Sequence, residues 1–214
     1  MKTIFWNVDT QYDFMRDDVS FKGALAVPDA HTIETNLEHL TSLARGLHVP
    51  IINTADWHTA TSKELSATPD YKTTFPPHCL IDTPGARYVP ATTPLDPYVI
   101  DWRASAFDTE KVRTHREIVL YKDAFDIFAG SPHADAVLRT LQPQRVVVYG
   151  VATNVCVDYA VRGLLARGVD VIVPTDAIKE LPELPLEETL HTWTEKGAHL
   201  TTTDGVYNLL RGGI

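Results

Sequence analysis

The sequence predicts an α/β fold of three layers (α/β/α), with a central, mostly parallel sheet covered on both faces in a doubly wound, Rossmann-like arrangement. Two observations predict it. Short apolar runs alternate along the chain with stretches of helical periodicity, and strands in that alternation pair in parallel because each pair is joined by a crossover. The chain is also long enough: 214 residues, 44% of them hydrophobic, close one large core without staples, so residues 1–214 are expected to form one domain.

Ile4 to Val8 is an apolar run that meets Asp9, which suits a buried strand followed by a functional loop. Ile33, Leu37, Leu40, Leu43 and Leu47 recur at steps of three and four, with Gly46 near their end, and predict an amphipathic helix. Val49 to Ile52 reads as the next strand. From Thr54 to about Asp108 periodicity fades, and eight of the fourteen prolines lie between Pro50 and Pro97. A long irregular connection inside a compact domain is usually a functional loop or hides short elements. The alternation resumes with a strand at Ile118 to Tyr121. Ser131-Pro132 is then expected as N-cap and first turn of a helix through Leu141. Val146 to Tyr149 reads as strand, Val155 to Leu165 as helix stopped by Gly168, and Val169 to Val173 as strand. A helix from about Leu186 to Lys196, a short strand near His199 to Thr202 and a terminal helical turn finish the chain.

The charge balance, 19 Lys+Arg against 28 Asp+Glu for a net charge of −9, argues against nucleic acid as a partner. No apolar stretch approaches the ~18–20 residues of a bilayer span, and the apolar run before Asp9 is too short for a secretory signal. Two cysteines, Cys79 and Cys156, are too few for a disulfide framework and fit a reducing cytoplasm. A small molecule is the expected partner.

Ligands of open parallel sheets gather beyond the carboxyl ends of the strands. The polar residues directly after the expected strands are Asp9, then Asp56 and His58, then Lys122, then Thr153 to Cys156. Cys156 stands where a strand turns into a helix, a position expected to lower its pKa through the helix dipole and a nearby Lys122, and to offer N–H groups to an oxyanion. The same position suits a small packed hydrophobe equally well. Asp9 is placed to take the thiol proton and Lys122 to stabilise the thiolate, although such residues also cap turns or reach solvent. Cys79 has no comparable setting. Asp56-Trp57-His58 puts a carboxylate and an imidazole on one side of an extended chain, and His78 follows Phe75-Pro76-Pro77 on a stiffened loop. Oxygen and nitrogen ligands of this kind suit one divalent metal ion, Zn²⁺, Fe²⁺ or Mn²⁺, with surface or capping roles as the competing interpretation.

Asp9-Thr10-Gln11-Tyr12-Asp13-Phe14, Asp56-Trp57-His58, Phe75-Pro76-Pro77-His78-Cys79, Lys122 and Gly150-Val151-Ala152-Thr153-Asn154-Val155-Cys156 occur in this order along nearly the whole chain. The set resembles the isochorismatase-like cysteine hydrolases, and among them the nicotinamidase family. The resemblance implies an Asp9-Lys122-Cys156 triad that hydrolyses nicotinamide to nicotinate and ammonia through a thioester. It implies a metal held by Asp56, His58 and His78 that contacts the pyridine nitrogen, with Asp70 as the nearest match to an acidic fourth ligand. It further implies a cis peptide at Val151-Ala152 that aims the Ala152 and Cys156 N–H groups at the oxyanion, and self-association into homo-oligomers. Phe14, Phe75 and Phe125 are the aromatic residues expected to enclose a flat ring. Asn154 departs from a frequent aspartate, and Asp82 from a frequent glycine. A related cysteine hydrolase acting on another small amide, carbamoyl or ureido compound is the alternative, and a non-catalytic binding protein a third; an intact Asp, Lys and Cys set argues against the last.

Overall fold

The structure, a computed structural model, describes residues 1–211. In chain order its elements are β1 (Thr3–Val8), α1 (Tyr12–Met15), α2 (Glu34–Gly46), β2 (Ile51–Asp56), β3 (Tyr98–Ile100), α3 (Thr109–Thr114), β4 (Glu117–Lys122), α4 (Ile127–Gly130), α5 (Ala134–Leu141), β5 (Arg145–Val151), α6 (Asp158–Leu165), β6 (Asp170–Pro174), β7 (Ile178–Lys179), α7 (Leu186–Glu195), β8 (His199–Thr201) and α8 (Thr203–Arg211). All strands pair in parallel in the order β3-β4-β2-β1-β5-β6-β8, with β7 beside the end of β5. The fold is therefore the expected α/β sandwich of layers around a parallel sheet.

Strand periodicity divides the interior into two cores. Ile4, Trp6 and Val8 of β1 join Val112 of α3, Val137 and Leu141 of α5, Val161 and Leu164 of α6 and Trp193 of α7 on one face. Phe5 of the same strand joins Leu37, Leu40 and Ala44 of α2 and Val206 of α8 on the other. Burial on both faces is why the strands read as nearly continuous apolar runs. The chain leaves the central β1 toward β2 and β4, then returns to β5 on the other flank of β1. The reversal makes a crevice at the carboxyl ends of β1 and β5, where ligands of such sheets bind.

Several boundaries differ from the sequence expectation. β2 starts at Ile51 and continues through the polar Asn53 and Thr54 to Asp56, paired with β1 as far as Thr54 and with β4 as far as Asp56, and the Asn7 amide donates to Asn53 Oδ1 across the sheet at 3.0 Å. α5 starts at Ala134 with His133 as its N-cap. Ser131 instead ends α4, its N–H donating to Ile127 O, while the Asp126 side chain caps that short helix at Phe128 N. The segment expected to open α6 is a π-helical turn, Thr153–Val157. The irregular stretch hides β3, α3 follows directly after it, and the terminal turn is the nine-residue α8. Among the described residues no helix is long and apolar enough to cross a membrane.

Candidate active site

Parallel register aligns the strand ends at one rim. Val8 lies opposite both Thr54 and Gly150, and Asp56 opposite Lys122. Gly150 has φ +124°, and a Cβ there would stand 2.1 Å from Val8 O, so only glycine lets β5 and β1 close at this point. Asp9 leaves β1 in the left-handed region at φ 49° and turns its carboxylate inward, where Thr54 Oγ1 donates to Oδ1 at 2.7 Å. The buried Lys122 Nζ lies 3.0 Å from Asp9 Oδ2 and 3.8 Å from Cys156 Sγ, and also pairs with Asp56 Oδ1. Carboxylate oxygens of Asp9 and Asp56 and the Cys156 sulfur all lie within 4.8 Å of one another. The structure thus brings Asp9, Lys122 and Cys156 together.

Their charges are set by burial against pairing. Burial alone would push the Lys122 ammonium down, but Asp56 and Asp9 outweigh it and hold its pKa well above the ordinary lysine value. Burial raises the Asp9 carboxyl despite the opposing pull of Lys122. Cys156 behaves contrary to the sequence expectation: burial raises its pKa well above the ordinary thiol value, and Lys122 does not offset burial together with Asp9 and Asp56. Cys156 lies inside the π-helical turn, two residues before α6 begins. A buried thiol beside a carboxylate suits proton transfer to Asp9 as the sulfur attacks, without a standing thiolate. Cys79 is fully buried, its thiol pushed up by burial, and its backbone N–H donates to Asp13 Oδ2 at 2.7 Å.

Next to the triad, His58 Nε2 lies 3.7 Å and His78 Nε2 lies 3.5 Å from Asp56 Oδ2. Glu64 Oε2 lies 3.8 Å from His58 Nε2. His58 Nε2 and Glu64 Oε2 are buried with no hydrogen-bond partner. These separations are too long for hydrogen bonds, but tetrahedral ligands at ~2.0–2.1 Å from a zinc ion stand about 3.4 Å apart. Ligand atoms of Asp56, His58 and His78 lie within 4.8 Å of one another and fit a divalent ion, with Glu64 beside His58. Lys122 and the two histidines hold the Asp56 carboxyl well below the ordinary range against the effect of burial, and burial with Asp56 pushes Glu64 up to about 7.

Asp70 is not part of this cluster. It is exposed, and its carboxylate accepts the N–H groups of Lys72, Thr73 and Thr74, closing a turn of its own. The acidic side chain that stands beside the cluster is Glu64, buried next to His58. A backbone ladder brings it there: Phe75 N donates to Glu64 O at 2.8 Å and Ser66 N to Phe75 O at 2.9 Å. Glu64 lies eleven residues before Phe75 in an aperiodic stretch, and that pairing has no local signal. Gln11 was also without an assigned role. Its side chain donates to Asp56 O and accepts from Asp56 N, both at 2.8 Å, fixing the backbone of the shared carboxylate.

Cys156, Asp56, Glu64 and His78 face a cavity walled by Phe14, Phe75 and Phe125 together with Leu25, Val27, Val155 and Leu181. The Phe75 and Phe125 rings meet edge to face, centroids 6.3 Å apart. The cavity measures about 30 Å³, room for a water or two, so a wall must shift to admit an aromatic ring. Asn154 fastens one wall: its amide donates to Leu181 O at 2.8 Å and Leu184 O at 3.2 Å and accepts from Leu181 N at 3.0 Å. An aspartate could not donate to those carbonyls. Ala152 precedes the turn and Cys156 lies within it, and the Val151-Ala152 peptide is cis.

Residues 110–205, which include Lys122 and Cys156, match the isochorismatase domain. The nicotinamidase/pyrazinamidase of Mycobacterium tuberculosis (strain ATCC 25618 / H37Rv) is 29% identical over 193 residues, covering 85% of this chain and 90% of its own. The pyrazinamidase of Pyrococcus horikoshii in complex with zinc superposes with a TM-score of 0.73 at 24% identity, over 94% of this chain and 99% of that one. The N-carbamoylsarcosine amidase of Thermoplasma acidophilum superposes with a TM-score of 0.72 at 20% identity, over 95% and 98%.

Proposed function

We propose, on the premise that this chain belongs to the isochorismatase-like hydrolases, that it is a metal-dependent cysteine amidohydrolase of the nicotinamidase type, converting nicotinamide to nicotinate and ammonia. One observation carries the proposal: the Cys156 sulfur, within reach of Lys122 and a carboxylate, opens on the same aromatic-walled cavity as the Asp56, Glu64 and His78 ligand atoms. A nucleophile and an anchor on one small pocket suit a flat amide with a basic ring nitrogen.

In this mechanism Cys156 attacks the carboxamide carbon as Asp9 takes the thiol proton. The C–S bond forms, the carbonyl π pair moves to oxygen, and the N–H groups of Ala152 and Cys156 stabilise the oxyanion. Asp9 returns the proton to the amine, the C–N bond breaks, and ammonia leaves a thioester. Asp9 then deprotonates water as it attacks, the C–S bond breaks, and the acid departs with the thiol restored. Lys122 favours the ionised form of Asp9 against burial and offsets charge developing on sulfur. Phe14, Phe75 and Phe125 hold the ring and exclude water. Asp56, His58 and His78, with Glu64 beside them, would hold a divalent ion, which would supply a Lewis-acidic anchor for a basic ring nitrogen.

Ammonia release from nicotinamide by Zn²⁺-, Fe²⁺- or Mn²⁺-supplemented protein is the test. Wild type is expected to turn over, and Cys156→Ala to lose at least about 10³-fold in kcat. If wild type left nicotinamide intact but hydrolysed another small amide, a carbamoyl or a ureido compound, the substrate assignment would be wrong and the broader cysteine-hydrolase mechanism would stand. Full activity in Cys156→Ala would overturn the mechanism.

A further inference from the structure

We infer that Asp123 is a positioning residue for the metal site, its carboxylate holding His58 in the tautomer that turns the Nε2 lone pair toward the ion. The inference rests on the metal assignment proposed above and adds a residue that does not itself reach the ion.

His58 Nδ1 lies 2.9 Å from Asp123 Oδ1. A carboxylate oxygen accepts, so Nδ1 carries a proton, and in the neutral ring, the form that ligates a metal, Nε2 holds the lone pair. Nε2 is the atom that faces Asp56 and Glu64, buried and without a hydrogen-bond partner. Were the proton on Nε2, it would point into the space an ion needs, and Asp123 would face an unprotonated Nδ1.

Asp123 is itself held. It follows Lys122 at the end of β4, and its N–H donates to Gly130 O at 3.0 Å. Ser62 Oγ donates to the same Oδ1 while accepting the Thr59 N–H at 2.9 Å. Thr59 is the chain neighbour of His58, so His58, Thr59, Ser62 and Asp123 close a ring of hydrogen bonds behind the imidazole. One strand end thus serves both halves of the site, sending Lys122 to the triad and Asp123 to the back of the metal ligand.

His78 has the same tautomeric arrangement with a different acceptor, its Nδ1 donating to the Pro76 carbonyl at 2.7 Å. A carboxylate behind a ligating histidine fixes the ring and raises its basicity more than a neutral carbonyl does. The Asp123 side chain is 22% exposed, so replacing it opens no void in the core, and a loss of metal affinity would not follow from packing.

The test pairs Zn²⁺ affinity, measured by competition with a chromophoric chelator, with the ¹⁵N shifts of the His58 ring in metal-free protein. At a pH high enough to neutralise the ring, wild-type His58 is expected as the Nδ1–H tautomer. Asp123→Asn and Asp123→Ala are expected to weaken Zn²⁺ binding by about 10–100-fold without moving the melting temperature of the metal-free protein. Ser62→Ala is expected to weaken it less. An Nε2–H tautomer in wild type, or Asp123 variants that bind Zn²⁺ as tightly as wild type, would overturn the inference while leaving the metal assignment intact. Wild type that takes up no Zn²⁺ would overturn the metal assignment and the inference with it. If Asp123→Ala does not fold, the wild-type shifts and the isosteric Asp123→Asn decide.

Discussion

Asp9, Lys122 and Cys156 stand at or just beyond the ends of β1, β4 and β5, where the register of a continuous parallel sheet places them. His58, Glu64 and His78 stand instead on an irregular segment and are tied down by isolated pairings: His58 N to Cys79 O, Ile81 N to His58 O and Phe75 N to Glu64 O. Asp56 belongs to both halves, the last residue of β2 and the carboxylate on which both histidines converge. Two modes of construction meet there. Sheet register fixes the nucleophile and its proton acceptor to the continuous central sheet. The ligand loops depend on a few backbone bridges and on side chains such as Asp13, which accepts Cys79 N–H. Damage to the loop half should therefore release metal and leave the triad standing, whereas damage to the strand-end half should stop chemistry and leave metal in place.

The largest effect that separates the halves is expected from His58→Ala, His78→Ala. The double variant should bind no stoichiometric Zn²⁺, Fe²⁺ or Mn²⁺ by elemental analysis, and Cys156→Ala should bind as wild type does. Unchanged metal content in the double variant would dissolve the distinction.

Asp9→Asn should lower kcat by about 10²–10⁴-fold with metal content unchanged. The pH profile carries the same claim. Activity needs ionised Asp9, and burial raises its pKa above the ordinary 3.8. The acid limb of kcat/KM should accordingly lie above that value, with activity lost as pH falls through it. An acid limb at or below it would remove Asp9 from the role.

A smaller effect sharpens the loop half. Glu64→Gln should weaken Zn²⁺ binding by about tenfold or more, and Asp70→Ala should not change it. The reverse order would restore Asp70 as the ligand.

The same division explains what was legible in the sequence. The parallel sheet and the rim residues follow from local periodicity, because a strand end is marked by the residue where an apolar run stops; the aromatic lining, Phe14, Phe75 and Phe125, came only from the family resemblance. Asp56 and His58 lie close enough to the end of β2 to be found in that way. Glu64 was not, since only the pairing with Phe75 carries it to the metal cluster, and Asp70 was chosen for its nearness to that motif along the chain. The raised pKa of Cys156 was equally out of reach. A strand-to-helix turn suggests a lowered pKa, but the outcome depends on the depth of burial and on two carboxylates from β1 and β2, which no local pattern reports. β3 and α3 escaped because they are short and lie in, or just beyond, a proline-rich stretch.

The central claim is covalent catalysis by Cys156, and mass spectrometry of metal-loaded protein quenched in acid during turnover of nicotinamide tests it most directly. The expected result is a nicotinoyl adduct on the peptide containing Cys156 and none on that containing Cys79. Turnover with the adduct on Cys79, or steady turnover by Cys156→Ala, would contradict it.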